Sequence, residues 1–273
     1  MNKALQHRIN AGRVAVENRI AFFSRQFGMV ESDWKEDDTR VTFVDFAISE
    51  QLFAELRKSF PEDAYCSEES SPGDEEIILE PKGFAWVLDP VDGTNNFALG
   101  MPFCAMSLAL LQGGVPVYGF VYDHSRGVVI EGGVGQPLRD GKRTVRVKSR
   151  PERQAYIAVH FPIPAENYAA FEPLLTAYRV RSFGSAALAC AYTAIGVLDG
   201  VIDFRVKVWD IAAGWALLLA GGGEFEFMGT SVFPMRRFHV SAPGTPYFAG
   251  SPHFCALARS ILTAANNQIS TEQ

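Results

Sequence analysis

The chain opens on a helical stripe. Leu5, Ile9, Val16, Ile20, Phe23 and Phe27 recur at spacings near four and seven, which places them on one face of a long amphipathic helix closed by Gly28. Ile48, Leu52, Leu56 and Phe60 mark a second helix that starts near Val44 and is stopped by Pro61. Thr42 and Asp45 precede it at the spacing of a capping box. The period then changes. Residues 84–88 form a short apolar run of buried-strand type, and 107–111, 117–122 and 128–130 follow as successive strands with Gly-rich turns between them. Val145 and Val147 are expected to continue the meander. Past a Pro-containing stretch at 161–164, helices are expected over 166–178, 185–198 and 211–220. Gly221-Gly222-Gly223 reads as a C-cap and turn, because no Lys and Ser or Thr follow as a phosphate loop requires. The polar tail 266–273 is expected to fray.

Composition narrows the class. With 273 residues, 48% of them hydrophobic, and a formal charge of −6, the chain suits one large domain or two intimately packed lobes. The expected division falls near Arg150, between a metal-bearing N-terminal α+β lobe (1–150) and a C-terminal α/β lobe (151–273) that act as one cooperative unit. The acidic balance gives no electrostatic footprint for nucleic acid, and the basic residues between Lys142 and Arg153 are interspersed as on a solvated hairpin and loop. The first eight residues lack a signal-peptide core, and no apolar run reaches membrane-spanning length. A cytoplasmic protein without membrane partners is expected. Cys66, Cys104, Cys190 and Cys255 are dispersed and read as reduced core thiols, and the five histidines show no ligand spacing.

The chemistry concentrates in Asp89-Pro90-Val91-Asp92-Gly93-Thr94. Pro90 cannot donate to a strand ladder, so a turn is expected there. Two carboxylates three residues apart can converge on Mg²⁺ across that turn, with the Val91 carbonyl as a further oxygen ligand. Gly93 lets the backbone approach an anion, and the N–H groups from Thr94 through Asn95 and Asn96 can meet phosphate oxygens as at a helix N-terminus. An isolated Asp-Gly pair would be read as a turn alone.

Together with Ser67-Glu68-Glu69-Ser70 upstream and Trp209-Asp210-Ile211-Ala212-Ala213-Gly214 downstream, this run resembles the inositol monophosphatase family, with three motifs in order across about 35–251. It is unlike the Asp-x-Asp-x-Thr arrangement of haloacid-dehalogenase-type phosphatases, since the second Asp lies one position too far along. The resemblance implies a layered α/β/α/β/α sandwich of the inositol monophosphatase and fructose-1,6-bisphosphatase type, commonly dimeric and lithium-sensitive. It implies Mg²⁺-dependent hydrolysis of a small polyol or sugar phosphate, with inositol 1-phosphate the first candidate. Fructose 1,6-bisphosphate, histidinol phosphate and 3′-phosphoadenosine 5′-phosphate are alternatives. A regulatory binding protein without catalysis is the reading from another class, and it has no physical use for clustered carboxylates.

The same resemblance assigns residues. Glu68, Asp89 and the Val91 carbonyl would hold one Mg²⁺, and Asp89, Asp92 and Asp210 another, with two or three ions per site. Thr94 and Glu69 would orient the attacking water with Asp45 behind Thr94, while Glu69 on composition alone is equally a surface carboxylate. The Gly93 and Thr94 amides would bind the phosphoryl group. Asp92, Gly184, Ser185, Ala186, Asp203 and Asp210 would contact substrate. Ser185 reads equally as a plain N-cap, as does Asp210 for its own helix. Asp203 falls where animal members carry a longer glutamate. Arg205 and Lys207, on alternating strand positions, would share its face or point to solvent, and solvent is the preferred reading. Neighbouring carboxylates about 4 Å apart repel by roughly 4 kcal/mol at an effective dielectric of about 20, so four of them need cations. The twelve-residue pattern of a calcium loop is absent.

Overall fold

The first stripe folds as α1 (Lys3–Gln26), which buries Ile9, Ala15, Val16 and Phe23. Gly28 turns the chain at φ +66°. A computed structural model describes residues 3–34, 40–70, 76–148 and 154–271. Lys35, the end of the basic segment at 149–153, and the extreme termini lie outside the described residues. A short ribbon, β1 (Asp33–Trp34) and β2 (Arg40–Val41), leads into α2 (Phe43–Arg57). The predicted capping box is formed: the Thr42 amide donates to Asp45 Oδ2 at 2.8 Å, and the Val44 amide donates to the Thr42 hydroxyl at 3.2 Å.

A seven-stranded sheet follows. Its strands are β3 (Ala64–Ser67), β5 (Phe84–Asp92), β6 (Ala105–Gln112), β7 (Val115–Asp123), β8 (Val128–Gly133), β9 (Gln136–Asp140) and β10 (Arg143–Thr144), in the order β10-β9-β8-β7-β6-β5-β3. Only β3 pairs parallel to its neighbour. Between β3 and β5, β4 (Ile77–Ile78) makes a separate ribbon with β15 (Arg237–Phe238). The central strands are apolar at nearly every position because both faces are covered. Trp86, Leu88, Leu108 and Leu110 pack with α1 and α2, while Ala85, Val87, Ala109 and Leu111 face the opposite side.

That opposite side is covered by α5 (Ala186–Ala194) and α6 (Val208–Ala220). Gly119 of β7 lets α6 lie directly on the sheet, since a Cβ there would stand 2.5 Å from the Ala213 carbonyl. Beyond these helices comes a second sheet of β11 (Tyr156–Val159), β12 (Arg179–Arg181), β13 (Gly200–Asp203), β14 (Glu224–Phe227) and β16 (Tyr247–Gly250), ordered β12-β11-β13-β16-β14. Its outer face is closed by α4 (Ala165–Ala177) and α7 (Pro252–Thr271), against Ile157, Ile202 and Phe248. The layers therefore run α/β/α/β/α, as the resemblance implies. The remaining helix, α3 (Thr94–Leu99), is a single short segment after β5.

Several local expectations change. The chain does not turn at Pro90; β5 continues to Asp92 and absorbs the proline as a register shift between Asp89 and Asp92, the bulge that a missing donor permits. The meander is continued by β9 and β10, and Val145 follows it with its amide on Leu138 of β9, whereas Val147 leaves it and bonds to Gly221. Helix α5 ends at Ala194, because Gly196 turns the chain at φ +78°. Every residue of α5 is buried, so 186–194 is core, whereas Leu99, Met101 and Phe103 after β5 are exposed. The polar tail is helical through Thr271 as the end of α7. Helix α6 starts three residues earlier than predicted, at Val208, so Asp210 lies inside its first turn and Lys207 occupies the cap position.

Candidate active site

The end of β5 meets the N-termini of α5 and α6, and there the three sequence motifs converge on one cavity of about 610 Å³. Asp89 and Asp92 come from β5, Glu68 from the residue after β3, and Asp210 from the first turn of α6. Asp89, Asp92 and Asp210 each bring a carboxylate oxygen within 4.8 Å of the other two. Asp89 is 1% exposed and Asp92 6%. Among the described residues none of these three forms an ion pair.

Hydrogen bonds from the backbone hold each carboxylate in place. Asp89 accepts the Val91 amide at 3.1 Å, and Asp210 accepts the Lys207 amide at 2.6 Å, which is half of a capping box. Asp92 is anchored by the start of α5: it accepts the Ser185 hydroxyl and the amides of Ala186 and Ala187 at 3.2 and 2.9 Å. Ser185 also caps its helix, taking the Leu188 amide at 3.2 Å, as its N-cap reading expects. Asp92 thus spans the layers of the fold.

Burial, then the charges of Glu68 and Asp92, pushes the Asp89 carboxyl well above the ordinary range. Burial, then Asp92 and Glu68, does the same to Asp210. Asp92 is pushed up only to about 6, because the burial effect is opposed by Ser185 and the α5 amides, which favour the charged form. A divalent cation would relieve all three, and an all-oxygen donor set suits Mg²⁺. The donors fit the ion.

Gly93 follows at φ +82°, and a Cβ there would meet the carbonyls of Gly184 and Phe103 at 3.0 Å. No other residue fits that turn without displacing backbone. Thr94 lines the cavity, but its hydroxyl donates to the Val91 carbonyl at 2.9 Å and makes no hydrogen bond to Asp45. Asn95 also lines it. Asn96 turns inward instead, and its side-chain amide donates to the carbonyls of Phe103 and Phe183 at 2.7 and 2.6 Å, clasping the two halves of the site.

Gly184, Ala186 and Asp203 reach the cavity wall. Asp45, Glu69 and Ser185 are not among the residues that line it. Asp45 is 1% exposed, with Oδ1 lacking a hydrogen-bond partner among the described residues. Burial, opposed by the Thr42 hydroxyl and reinforced by Glu69, pushes its carboxyl up to about 7. Cys66 is buried and its thiol is pushed up to about 12, so no reactive thiolate stands beside the site.

Sequence reasoning missed part of the lining. Arg40 and His160 line the cavity, and so do Arg205 and Lys207, which were expected to face solvent. The last two are not on a strand: β13 ends at Asp203, and the chain then crosses the cavity mouth before α6. Periodicity carries no signal for such a crossing.

A family model described as the inositol monophosphatase family matches residues 2–267. The chain belongs to this family. It is similar to the Nus factor SuhB of Haemophilus influenzae, with 32% identity over 231 residues that cover 82% of this chain and 84% of that protein. The Nus factor SuhB of Pseudomonas aeruginosa is 31% identical over 259 residues, covering 91% of this chain and 94% of its own. Among solved structures, the extragenic suppressor protein SuhB of Bartonella henselae superposes with a TM-score of 0.80 at 28% identity, covering 93% of this chain and 98% of that one. The IMPase of Thermotoga maritima gives a TM-score of 0.79 at 22% identity over 96% and 99% of the two chains, a likeness of fold. Family membership makes the chain a phosphatase-family protein with an acidic cluster able to hold metal. Among the described residues no helix is long and apolar enough to cross a membrane.

Proposed function

We propose that the protein is a Mg²⁺-dependent phosphomonoesterase acting on a small polyol or sugar phosphate, with inositol 1-phosphate as the reference substrate. One observation carries this reading: buried Asp89 and Asp92 converge with half-buried Asp210, without a cationic partner among the described residues, beside the Gly93–Thr94 turn in a cavity of substrate size. Glu68, Asp89, the Val91 carbonyl, Asp92 and Asp210 would hold two or three Mg²⁺, which when bound supply Lewis-acid activation of water and neutralise charge on the phosphoryl group.

The chain's own groups do the rest. Thr94 and Glu69 orient the attacking water, and Asp45, which feels the charge of Glu69 and has an unpartnered Oδ1 among the described residues, sets the proton affinity of that corner. The Gly93 and Thr94 amides hold phosphoryl oxygens, and the α5 N-terminus fixes Asp92 so that it need not reorganise during turnover. Lithium sensitivity, a cytoplasmic location and a homodimer through the exposed Leu99, Met101 and Phe103 belong to the same reading.

The names of the SuhB relatives favour a second reading, in which the protein acts by binding a partner of the transcription apparatus. Phosphate release from a panel of phosphomonoesters, with Mg²⁺ and after chelation, separates the two. Turnover that requires Mg²⁺ is expected; folded protein silent across the panel would favour the binding role.

A further inference from the structure

A second cavity, of about 230 Å³, is lined by the first turn of α6, by β15 with its flanking residues and by the loop at 242–245. No step of the proposed hydrolysis uses it. Its ionisable lining is of one sign: Lys207, Arg236, Arg237 and His239 reach it, and no Asp or Glu does among the described residues. Glu76 answers part of that charge by pairing with Arg237 at 2.7 Å. The other three keep donors. Arg236 gives one guanidinium N–H to the Gly113 carbonyl at 3.0 Å, and Lys207 gives one ammonium N–H to the Ala242 carbonyl at 2.6 Å, so most of their donors are free among the described residues. His239 accepts the Ser241 amide on Nδ1 at 3.1 Å, which leaves the proton of the neutral ring on Nε2 as a further donor.

The same lining is apolar beneath its charges. Trp209, Met235 and Phe238 are buried, and the Trp209 and Phe238 rings meet edge to face with centroids 5.8 Å apart. Two polar groups on buried lining residues are also unspent. The Trp209 indole N–H and the Thr245 hydroxyl, on residues 6% and 9% exposed, make no hydrogen bond among the described residues. Such groups are costly unless water or a ligand meets them. Free cationic donors over an apolar base select an organic oxyanion: a bare ion leaves the apolar surface unused, and a neutral molecule leaves the charge unanswered. A volume below the roughly 300 Å³ of ordinary ligand pockets restricts the occupant to a small one.

We propose that this second cavity is an effector site for a small organic oxyanion, a carboxylate or phosphate on an apolar body, whose binding strengthens Mg²⁺ binding in the first cavity. Lys207 and Trp209 line both cavities. The Lys207 amide holds Asp210 at 2.6 Å, and the Lys207 side chain lines the cavity that contains Asp210. Mg²⁺ must bind against that positive charge. An anion drawn to Lys207 offsets it, so each ligand binds more tightly when the other is present. The coupling rests on the reading of Asp210 as a metal ligand; anion binding in the second cavity does not.

Calorimetric titration of chelator-treated protein with benzoate, phenylphosphonate and neutral benzamide tests the site, because stripping the metal removes the attraction of the first cavity for anions. At least one anion is expected to bind once per chain and about tenfold or more tighter than benzamide, the effect of a charge-assisted hydrogen bond. The tighter anion tells carboxylate from phosphate. Arg236→Gln and His239→Gln, which alter the second cavity alone, should each weaken the anion by about tenfold, and Arg205→Gln, which alters the first alone, should not. Saturating anion should lower the Mg²⁺ dissociation constant by about fivefold. Benzamide binding as well as the anions, no binding at millimolar anion, or affinity lost in Arg205→Gln and kept in Arg236→Gln and His239→Gln would overturn the site. Anion binding with Mg²⁺ affinity unchanged would overturn the effector role, and absence of Mg²⁺ binding with or without anion would withdraw the metal reading and the coupling with it.

Discussion

Asp63, Glu131, Asp140 and Asp199 are comparably buried to Asp89 and Asp92, yet each meets a cation of the chain's own. Arg8 pairs with Asp63 at 2.7 Å, Arg13 with Glu131 at 2.9 Å, Arg126 with Asp140 at 2.7 Å and Lys148 with Asp199 at 3.1 Å. The cavity carboxylates meet one another and backbone amides instead. The fold therefore neutralises these four buried acids internally and leaves the cavity carboxylates without a cation among the described residues. An acid cluster that costs folding energy and shares its cavity with Arg40, Arg205 and Lys207, yet does not pair with them, is able to hold a cation that arrives from outside.

The sharpest way to break this contrast is Asp89→Asn. Asp89 is a cleaner probe than Asp92 because only the Val91 amide leans on it, whereas Asp92 also holds the start of α5. Turnover should fall by about a thousandfold or more, a loss of the several kcal/mol that metal-ion catalysis supplies, while the metal-free protein should become more resistant to urea. Wild-type kcat would remove Asp89 from the metal set.

Arg8→Met attacks the paired class. It strands Asp63, which also accepts the Trp86 indole N–H at 3.0 Å, and should lower unfolding free energy by about 3 to 5 kcal/mol with kcat per folded molecule unchanged. Opposite signs of stability change for the two variants would establish the division; equal signs would dissolve it.

Mg²⁺ itself should stabilise the wild type, by about 2.7 kcal/mol at a hundredfold excess over its dissociation constant, and Asp89→Asn much less. The metal-free protein should show the complementary pH dependence. Carboxyls whose folded pKa is raised favour folding while neutral. Their contribution is complete below the unfolded value near 4 and is lost as pH rises through the folded values, about 6 for Asp92 and likewise raised well above the ordinary range for Asp89 and Asp210. Thermal melting across pH 4 to 8 in chelator should fall with pH, and Mg²⁺ should flatten the curve.

Asp45 lies between the classes, bonded to Thr42 but facing no cation, with its carboxyl pushed up to about 7. By the same sign its contribution to stability is lost as pH climbs from about 4 through 7. Asp45→Asn should remove a small part of that slope in metal-free protein, and an unaltered slope would show that Asp45 stays charged throughout.

The N-terminal half of the architecture was legible because its elements are long and strongly patterned. The stripe of α1, the capping box of α2 and the apolar runs of β5 to β8 each carry enough residues for periodicity to show. The second sheet was not. Strands β11, β13, β14 and β16 are four residues each, too short for a period to register, and their partners are remote in sequence: Ile157 pairs with Gly200 and Phe225 with Ala249. At β9, Pro137 and the lone buried apolar Leu138 hid an outer strand.

For the site, the sequence by itself determined the donor chemistry. Carboxylate oxygens at Glu68, Asp89, Asp92 and Asp210 and a glycine at position 93 are properties of residue type and local spacing, and backbone bonds within three residues already orient Asp89 and Asp210. Only the tertiary structure decided what those groups face. It brought the N-terminus of α5 against Asp92, ninety-odd positions away, and put Arg40, His160, Arg205 and Lys207 into the lining of the same cavity. Local sequence fixes which atoms can bind a cation, because ligation depends on chemical type. Charge balance, and with it the ligand, depends on distances across the fold, which no window along the chain contains.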